Sequence, residues 1–449
     1  MLDRRTVREE TERLRWALDV KGIDDVDLDD ILDTDEAWRD LKARGDTLRH
    51  QRNETSRRIG ELKREGHDEE AEEAIAESTA IKEELEAVET EASTLEAELD
   101  RFLLELPNIP YEDAPIGDDE SDNVEVRREG FETVRTLPDA IIPHYEVGEQ
   151  LNIIDETRAA KTTGSGFYFL KGDGARLEHA LIQFMLDVHR EQEYHDIFPP
   201  VMVDSDAMTG TGQLPKFAED AYQIEGEDRW LIPTAEVPVT NMFAGDILYR
   251  EELPVKYQAY SPNFRREAGE HGTQTRGIVR VHQFNKVELV NFVEPETSYE
   301  RLDGLVEEAA AVLEQLELPY RIIEMCTGDM GFSQAKKYDI EVWAPADDMP
   351  DGPDVGGRWL EVSSASNFED FQARRAGIRY RPEHHESAEY VHTLNASGTA
   401  VPRVMVALLE YYQNDDGTVT IPTALRPYMG GTERITGHEA LGEQAAGDT

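Results

Sequence analysis

The sequence predicts an α+β protein in which a mainly antiparallel sheet domain follows an N-terminal antiparallel coiled-coil hairpin. Apolar residues between positions 36 and 105 recur at steps of three and four, the signature of long amphipathic helices. Beyond Pro110 the texture changes to strand-like segments interrupted by few helices. The 449 residues divide on this reading into 1–110, holding the hairpin at about 36–105, and 111–449, ending in a polar tail from Thr432.

The first 34 residues are a short mixed segment with apolar spacing at Val7, Leu14, Ala17 and Leu18. A helix is predicted from Asp35 to Glu65, with Trp38, Gly45, Arg52 and Ile59 at heptad position a and Leu41, Leu48, Thr55 and Leu62 at d. Gly66, His67 and Asp68 interrupt it. The second helix carries Ile81, Leu85, Val88, Ala92, Leu95, Leu99 and Phe102 at alternating +4 and +3 steps, and Pro107 and Pro110 end it. The pair reads as a hairpin roughly 45–50 Å long at 1.5 Å per residue. Residues 36–65 hold nine Lys/Arg against six Asp/Glu, whereas 68–105 hold two against fifteen. Either the flanks attract across the seam, or the basic face, with Arg49, Arg52, Arg57 and Arg58, meets a polyanion.

Residues 111–135 read as an acidic linker. An amphipathic helix at Arg176–Arg190 leads into a strand at Ile197–Val203 that contains Pro199 and Pro200. Further strands are expected at 230–240, 246–265, 278–294, 320–326, 337–344 and 358–364, and helices at 297–316 and 400–413. The run LNASGTAVPRVMVALLEYY reads as a glycine-containing turn opening a helix, with Arg403 near its start.

Composition excludes several function classes. The single Cys326 removes disulfide scaffolds, cysteine zinc sites and iron–sulfur clusters, and fits a reducing cytoplasm. No run of eighteen apolar residues occurs, so neither a membrane span nor a secretory signal is expected. With 46 Lys+Arg, only eleven of them Lys, against 96 Asp+Glu, the net charge is −50. In molar salt the Debye length falls to roughly 3 Å, so such a surface suits a very salty cytosol; the other reading is a basic partner. No GxxxxGK[ST] loop, no strand-borne GxGxxG and no kinase motif set is present, so any nucleotide must be held by arginine and backbone groups in another frame.

The densest polar segment, NFRREAGEHGTQTRGIVRVHQFNKVELV, reads as strand, glycine-rich loop, strand. Arg280, His282, Phe284, Lys286 and Glu288 share one face by the period of two. Arginine forks suit phosphate or carboxylate, Phe284 offers a stacking surface, and Glu288 can accept from an ammonium group. A salt-bridged hairpin is the plainer alternative for such alternation. Thr234-Ala235-Glu236, Glu361-Val362-Ser363-Ser364 and Arg403 complete an inventory for a nucleoside triphosphate, a divalent cation and an amino acid.

These segments, in this order, resemble the seryl-tRNA synthetases, class II aminoacyl-tRNA synthetases, over nearly the whole chain. FRREAGEHGTQTRGIVRVHQFNKVE resembles motif 2, LNASGTAVPRVMVALLEYYQ with IPTALRPYMGG resembles motif 3, and ARLEHALIQFMLDVHREQEYHDIFPPVMV resembles the dimer-forming motif 1. GTGQLPKF, LIPTAEVPVTN, CTGDMGFSQAKKYDIEVWAP and EVSSASNFEDFQARR are further seryl-type segments, and the class I signatures are absent. The resemblance implies a class II catalytic domain, a tRNA-holding arm, a cytoplasmic homodimer, and serine–tRNA ligase activity using L-serine, ATP and tRNA(Ser), with tRNA(Sec) a second candidate acceptor; the acidic, lysine-poor composition points to an extreme halophile.

Position by position, it implies that Arg265 bridges the α-phosphate and the serine carboxylate. Arg266, Glu267, Val281 and Phe284 help hold ATP, Phe284 by stacking on adenine. Thr234, Ala235 and Glu236 meet the serine amino group, Glu288 contacts serine, and Asn395 and Ser397 enclose its side chain. Glu361, Val362, Ser363 and Ser364 face the triphosphate, with Glu361 and Ser364 holding Mg2+, and Arg403 reaches the γ-phosphate. No zinc site is expected, since Cys326 lies outside the motif a zinc-using branch employs. Ala396 and Pro402 depart from glycines common in relatives. Two rivals are a shortened carrier-protein ligase, which would lack the arm, and a non-catalytic paralogue, which would have lost Arg265, Glu288 or Arg403.

Overall fold

The computed structural model describes residues 1–268, 276–346, 356–383 and 385–437. Parts of two sequence expectations, the glycine-rich loop at 269–275 and the tail at 438–449, lie outside the described residues. The chain divides into two compact units, Met1–Pro107 and Asn108–Thr449.

In the first unit, two short helices, Arg4–Glu9 and Thr11–Val20, precede α1 (Leu28–Glu65) and α2 (Asp68–Glu105), each of 38 residues and so about 57 Å long. Helix α1 starts seven residues before the expected Asp35, because the Asp27 carboxylate accepts from the backbone N–H groups of Asp29 and Asp30 and caps it. Gly66 ends it in the left-handed conformation (φ 77°), which costs a residue without Cβ nothing. The seam buries Leu48, Leu85 and Val88, with Leu41 and Ile81 against them. Charge pairs cross it: Arg44 with Glu84, Arg49 with Glu89 at 2.9 Å and Arg58 with Glu77 at 3.7 Å. Their side chains are about half exposed, so solvent screening leaves these pairs a minor role; the apolar seam does the holding.

The second unit is built on an eight-stranded sheet. Its strands are β1 (Val124–Glu129), β2 (His195–Ile197), β3 (Val255–Phe264), β4 (Gln283–Val293), β5 (Tyr320–Glu324), β6 (Lys336–Ala344), β7 (Arg358–Asn367) and β8 (His392–Ala400). The order is β1-β5-β6-β7-β8-β4-β3-β2, and every pairing is antiparallel except β2 with β3. Its helices include α3 (Asp173–Glu191), α4 (Glu236–Thr240), α5 (Ser298–Gln315), α6 (Phe371–Ala376) and α7 (Val401–Tyr411). Leu181 and Met185 of α3, Leu305 and Ala309 of α5, and Val404 and Met405 of α7 form one core with Val287, Leu289, Ile340, Val342 and Leu360 of the sheet. Three helices thus cover one face. The period-two alternation leaves Phe284, Lys286 and Glu288 of β4 for the other face.

The strand expectations need six corrections. The expected strand at 246–265 is two, Ile247–Tyr249 and β3, parted by a 3-10 turn at Arg250–Glu252. That at 278–294 begins only at Gln283, so Arg280 and His282 precede β4. Residues 111–135 are not merely a linker: β1 lies in them, on the sheet edge, its largely exposed residues giving no apolar signal. Pro199 and Pro200 cannot donate to a ladder, so the expected strand at 197–203 splits into β2 and a two-residue strand at Met202–Val203. The expected strand at 230–240 is only Trp230–Leu231, and α4 follows. The run LNASGTA is no turn but most of β8, an interior strand between β7 and β4.

Gly45 sits in the arm seam, where an added Cβ would meet Val88 Cγ1 at 3.8 Å and Leu85 Cδ1 at 4.0 Å, ordinary contact distances. A helix-interior glycine costs roughly 0.5–1 kcal/mol relative to alanine. Gly45→Ala should therefore raise hydrogen-exchange protection of the arm amides in the full chain by roughly two- to fivefold. Faster exchange would show a seam too tight for a methyl group.

Candidate active site

On the sheet face away from the three helices lies a cavity of about 240 Å³, lined by residues from β4, β6, β7 and β8, the start of α7 and the segments at 213, 234–236, 265–267 and 278–281. Its deep end is a polar cluster. Thr234 Oγ1 accepts from the Glu236 backbone N–H at 3.3 Å and from Lys286 Nζ at 2.9 Å. Glu236 opens α4; its carboxylate accepts from Gln372 Nε2 at 2.5 Å and Asn395 Nδ2 at 3.0 Å. The same Asn395 nitrogen donates to Glu288 Oε1 at 3.0 Å, and Lys286 Nζ lies 2.5 Å from Glu288 Oε2. Gln372 is itself oriented, because its Oε1 accepts from the Thr393 hydroxyl at 2.7 Å.

Glu288 is fully buried and Glu236 nearly so. Burial, followed by the neighbouring Glu288 charge, pushes the Glu236 carboxyl up to about 7. Asn395 Oδ1, buried, has no hydrogen-bond partner among the described residues. The cluster can thus take a group that is cationic, rich in donors and small.

At the middle of the cavity, Arg265 follows β3. Its backbone N–H donates to the His282 carbonyl at 3.0 Å, and its guanidinium lies 5.2 Å from the centre of the Phe284 ring. Glu267, at a positive φ of 50°, pairs with Arg280 at 3.1 Å. The wall at Ile278–Val281 is pinned from behind: the Ile278 N–H donates to His144 Nε2 at 3.2 Å, and His144 Nδ1 lies 3.0 Å from Glu410 Oε1. Since Nε2 accepts there, the proton sits on Nδ1 and is donated to Glu410, which also accepts from Arg358 at 2.6 Å. Gly277 (φ 79°) is required, because a Cβ would fall 2.0 Å from His144 Nε2.

At the outer end, β7 carries a bulge. Ile340 pairs with Ser363 and Glu341 with Glu361, so Val362 is the extra residue. The bulge brings Glu361 and Ser364, three apart, to one side, where Ser364 Oγ donates to Glu361 Oε1 at 3.0 Å. Arg403 reaches the same place from α7, its Nη1 donating to the Glu361 carbonyl at 2.7 Å and its Nε to the Val279 carbonyl at 3.3 Å. Burial works against ionisation of Glu361, but Arg403, Lys337 and the Ser364 hydroxyl outweigh it and hold the carboxyl below the usual range. A second register shift, between Lys286 and Glu288, faces a β8 stretch that includes Thr399, a non-glycine residue at φ 123°.

Thirteen sequence-derived site residues therefore border one cavity: Thr234, Glu236, Arg265, Glu267, Val281, Phe284, Glu288, Glu361, Val362, Ser364, Asn395, Ser397 and Arg403. Three do not. Ala235 packs with Val239 and Leu248; Ser363 is buried and donates to the Ser397 carbonyl at 2.5 Å; Arg266 is exposed, its backbone N–H donating to Asp220. Lys286, Lys337, Gln213, Gln334 and Ser366 also line the cavity, and Gln372 supports it, though none stood in the sequence-derived set. Lys286 was legible from its place between Phe284 and Glu288; Gln213, Gln334, Lys337, Ser366 and Gln372 fall in segments that carry the family resemblance. In the first unit, Arg49 and Arg58 pair with α2 glutamates, and all four arm arginines are partly or fully exposed along α1. Among the described residues no group of three or more His, Cys, Asp or Glu could hold a metal ion, and no helix is long and apolar enough to cross a membrane.

Comparison with known proteins bears on this geometry directly. The class II tRNA synthetase core domain (G, H, P, S and T) matches residues 219–412, and the seryl-tRNA synthetase N-terminal domain matches residues 1–110. The chain is 67% identical over 456 aligned positions to a serine–tRNA ligase of Halobacterium salinarum, covering 100% of this chain and 99% of that one. It is 68% identical to that of Halorubrum lacusprofundi, covering 100% of both. The crystal structure of seryl-tRNA synthetase from Pyrococcus horikoshii complexed with ATP superposes with a TM-score of 0.90 at 38% identity, covering 98% of this chain and 100% of that one. The chain belongs to the seryl-tRNA synthetases, ATP-dependent ligases built on the class II fold.

Proposed function

We propose that the chain joins serine to tRNA(Ser) in two steps, forming seryl-adenylate and then passing serine to the 3′ end of the tRNA. The observation that carries this reading is the cluster of Glu236, Glu288, Asn395, Lys286 and Thr234 at the deep end of the cavity. Its two carboxylates against one lysine leave a net negative charge matched to one ammonium group, and its small polar wall suits a hydroxymethyl side chain. Such a pocket should reject alanine strongly, because buried polar groups would lose a partner, and exclude threonine by size.

In this reading Thr234 and Glu236 receive the amino group. Glu288 and Asn395, with Ser397, enclose the side chain. Arg265 spans the serine carboxylate and the α-phosphate, and Phe284, Val281 and Glu267 hold the adenosine end. Arg403 meets the γ-phosphate. The serine carboxylate attacks the α-phosphorus and pyrophosphate leaves, a displacement that needs positioning and charge neutralisation more than a protein nucleophile. The donor set at the β7 bulge, one carboxylate beside one hydroxyl, fits Mg2+, which takes few hard oxygen ligands from protein and fills the rest with water and phosphate. Glu361 and Ser364 would hold it, and when bound it would offset triphosphate charge. Residues 1–110 would bind the tRNA through the arm, two chains would pair through the α3 region, and the enzyme would work in the cytoplasm; tRNA(Sec) is a further acceptor to assay.

The first test is pyrophosphate exchange across the twenty amino acids, where serine alone should support turnover. Arg265→Lys should cut that exchange by at least about a hundredfold with an unchanged circular dichroism spectrum, because lysine cannot make a bidentate fork. Near-normal exchange would remove Arg265 from its role.

The second concerns pH. Glu236 faces Glu288, Lys286, Arg265 and the Gln372 amide, and its carboxyl titrates near 7. Below that pH it is neutral and attracts an ammonium group weakly. The serine KM should therefore fall from pH 6 to pH 8, by up to about tenfold per unit below the midpoint, and Glu236→Gln should flatten the profile. The sign for stability is opposite. The unfolded chain loses this proton earlier, so the group's contribution is fully present below the ordinary carboxylate range and is lost as pH rises through about 7.

The third concerns the arm. Lys42 Nζ lies 4.0 Å from Glu96 Oε2, so these two residues face each other across the hairpin, and a variant with residues 43–95 replaced by a turn-forming linker shortens the arm there. Pyrophosphate exchange should survive while transfer to tRNA falls by orders of magnitude. An equal loss of both would make the arm structural.

A further inference from the structure

A carboxylate that the proposed reaction does not use is buried beside a separate cavity. Glu178, near the start of α3, is 5% exposed. Its Oε1 accepts from Asn285 Nδ2 at 2.9 Å, and Asn285 Oδ1 in turn accepts from the Tyr260 hydroxyl at 3.2 Å. Its Oε2 is buried and has no hydrogen-bond partner among the described residues. Every Lys and Arg of the chain lies among those residues, and none pairs with Glu178. Burial, opposed only by the Asn285 amide, pushes the carboxyl up to about 7. A buried carboxylate keeps its charge only where donors and a counter-charge replace water, and here the chain supplies one amide.

The cavity beside it measures about 320 Å³, room for a small organic molecule. Phe167, Phe169, Leu170 and Phe284 give it apolar walls, and Glu178 is the one charged residue among those lining it. Thr162 and Thr163 also border it, but both hydroxyls donate to the Ala159 carbonyl. One negative charge, one oxygen without a donor and apolar walls match a ligand with one positive charge, N–H donors and a short apolar stem. A charge-assisted N–H bond would satisfy Oε2 and supply the missing counter-charge together. We propose that this cavity binds a small primary alkylammonium ion, its N–H groups on Glu178 and its stem against Phe167, Phe169 and Leu170, and that the bound ion steadies Phe284 for ATP. Phe284 lines both this cavity and the first, so an occupant here bears on the ring that stacks on adenine in the reading above. The effect on ATP rests on that reading; the ammonium site does not.

The probe is n-propylammonium, followed by equilibrium dialysis against the full-length protein in concentrated KCl at constant ionic strength. The general attraction of cations to a chain of net charge −50 is then common to every sample. One ion per chain should bind saturably. Glu178→Gln keeps the side chain's size and an acceptor for Asn285, and should weaken binding about tenfold or more, as for loss of a hydrogen bond to a charged group. Its circular dichroism spectrum and oligomeric state should match the parent's. Tetramethylammonium, which has the charge but no N–H donor, should bind the parent about tenfold or more weakly than propylammonium. Saturating propylammonium should lower the ATP dissociation constant, measured without serine, about fivefold or more in the parent and leave it unchanged in Glu178→Gln. Equal, unsaturable uptake by parent and variant would reduce the binding to counterions and overturn the site. Uptake by dilute monomer but not by dimer would give the cavity to a second copy, since α3 is where two chains would pair, and would overturn it as well. Saturable binding with an unchanged ATP constant would overturn the link through Phe284. Loss of ATP binding in Phe284→Leu is expected from the adenine placement; its persistence would overturn that placement and leave the ammonium site standing on the dialysis.

Discussion

Two carboxylates buried side by side, Glu236 and Glu288, set the terms for the rest of the catalytic unit. Removing such charges from water is expensive unless hydrogen bonds and counter-charges replace it. One amide nitrogen, that of Asn395, serves both, and Lys286 stands 2.5 Å from Glu288. For these groups to meet, β8 must lie against β4 with Ser397 opposite Glu288, and α4 must start where Glu236 can face them. Gln372, locked by Thr393, closes the remaining side. The proton affinity of Glu236 follows from this crowding, which is why its titration falls near neutrality.

Irregular backbone provides what a regular sheet cannot. Residues three apart on a strand point to opposite faces, so Glu361 and Ser364 could not cooperate without the extra residue Val362. Thr399 at φ 123° and Glu267 at φ 50° hold conformations that L-residues rarely adopt, and both flank the cavity. Strain of this kind, of order 1–3 kcal/mol each, persists only where surrounding structure enforces it. The enforcement here includes the core of α3, α5 and α7 beneath the sheet, and the buried His144–Glu410–Arg358 chain behind Ile278.

How much of this was legible in the sequence follows from where the stabilising contacts come from. The arm helices were readable from heptad spacing and Gly66, which are local signals, except at the start of α1, placed seven residues late because the cap at Asp27 was not read. The site residues could be named from their motifs, yet the geometry joining them could not. LNASGTA has weak strand propensity and reads as a turn; it becomes β8 only because β7 and β4 pair with both its edges. β1 shows the converse, a strand with no buried side, held by its ladder to β5. Gln372 and Lys337 lie in segments that carry the resemblance, yet their roles depend on elements distant in sequence: Gln372 bonds a residue 136 positions away.

The surface charge and the site impose opposite demands, and burial reconciles them. A chain of net charge −50 must still hold a triphosphate, so cations have to be concentrated locally: Arg265, Arg280, Lys286, Lys337 and Arg403 all line one cavity. At molar salt, pairs between exposed side chains are screened over roughly 3 Å, while buried pairs keep most of their strength. Lys286 with Glu288 belongs to the second kind, with side chains 7% and 0% exposed; Arg49 with Glu89 belongs to the first, at 43% and 47%. The same salt that quiets repulsion among surface acids therefore leaves the buried carboxylate cluster intact and strips the arm of its cross-helix attraction. What remains in the arm is the Leu48–Leu85–Val88 seam, which salting-out strengthens. The basic arm residues are freed from their glutamates under the conditions in which simple attraction to RNA is weakest. For an arm that binds RNA as proposed, recognition would have to rest on close, desolvated arginine contacts and shape, in a chain that keeps thirty-five of its forty-six basic residues as arginine.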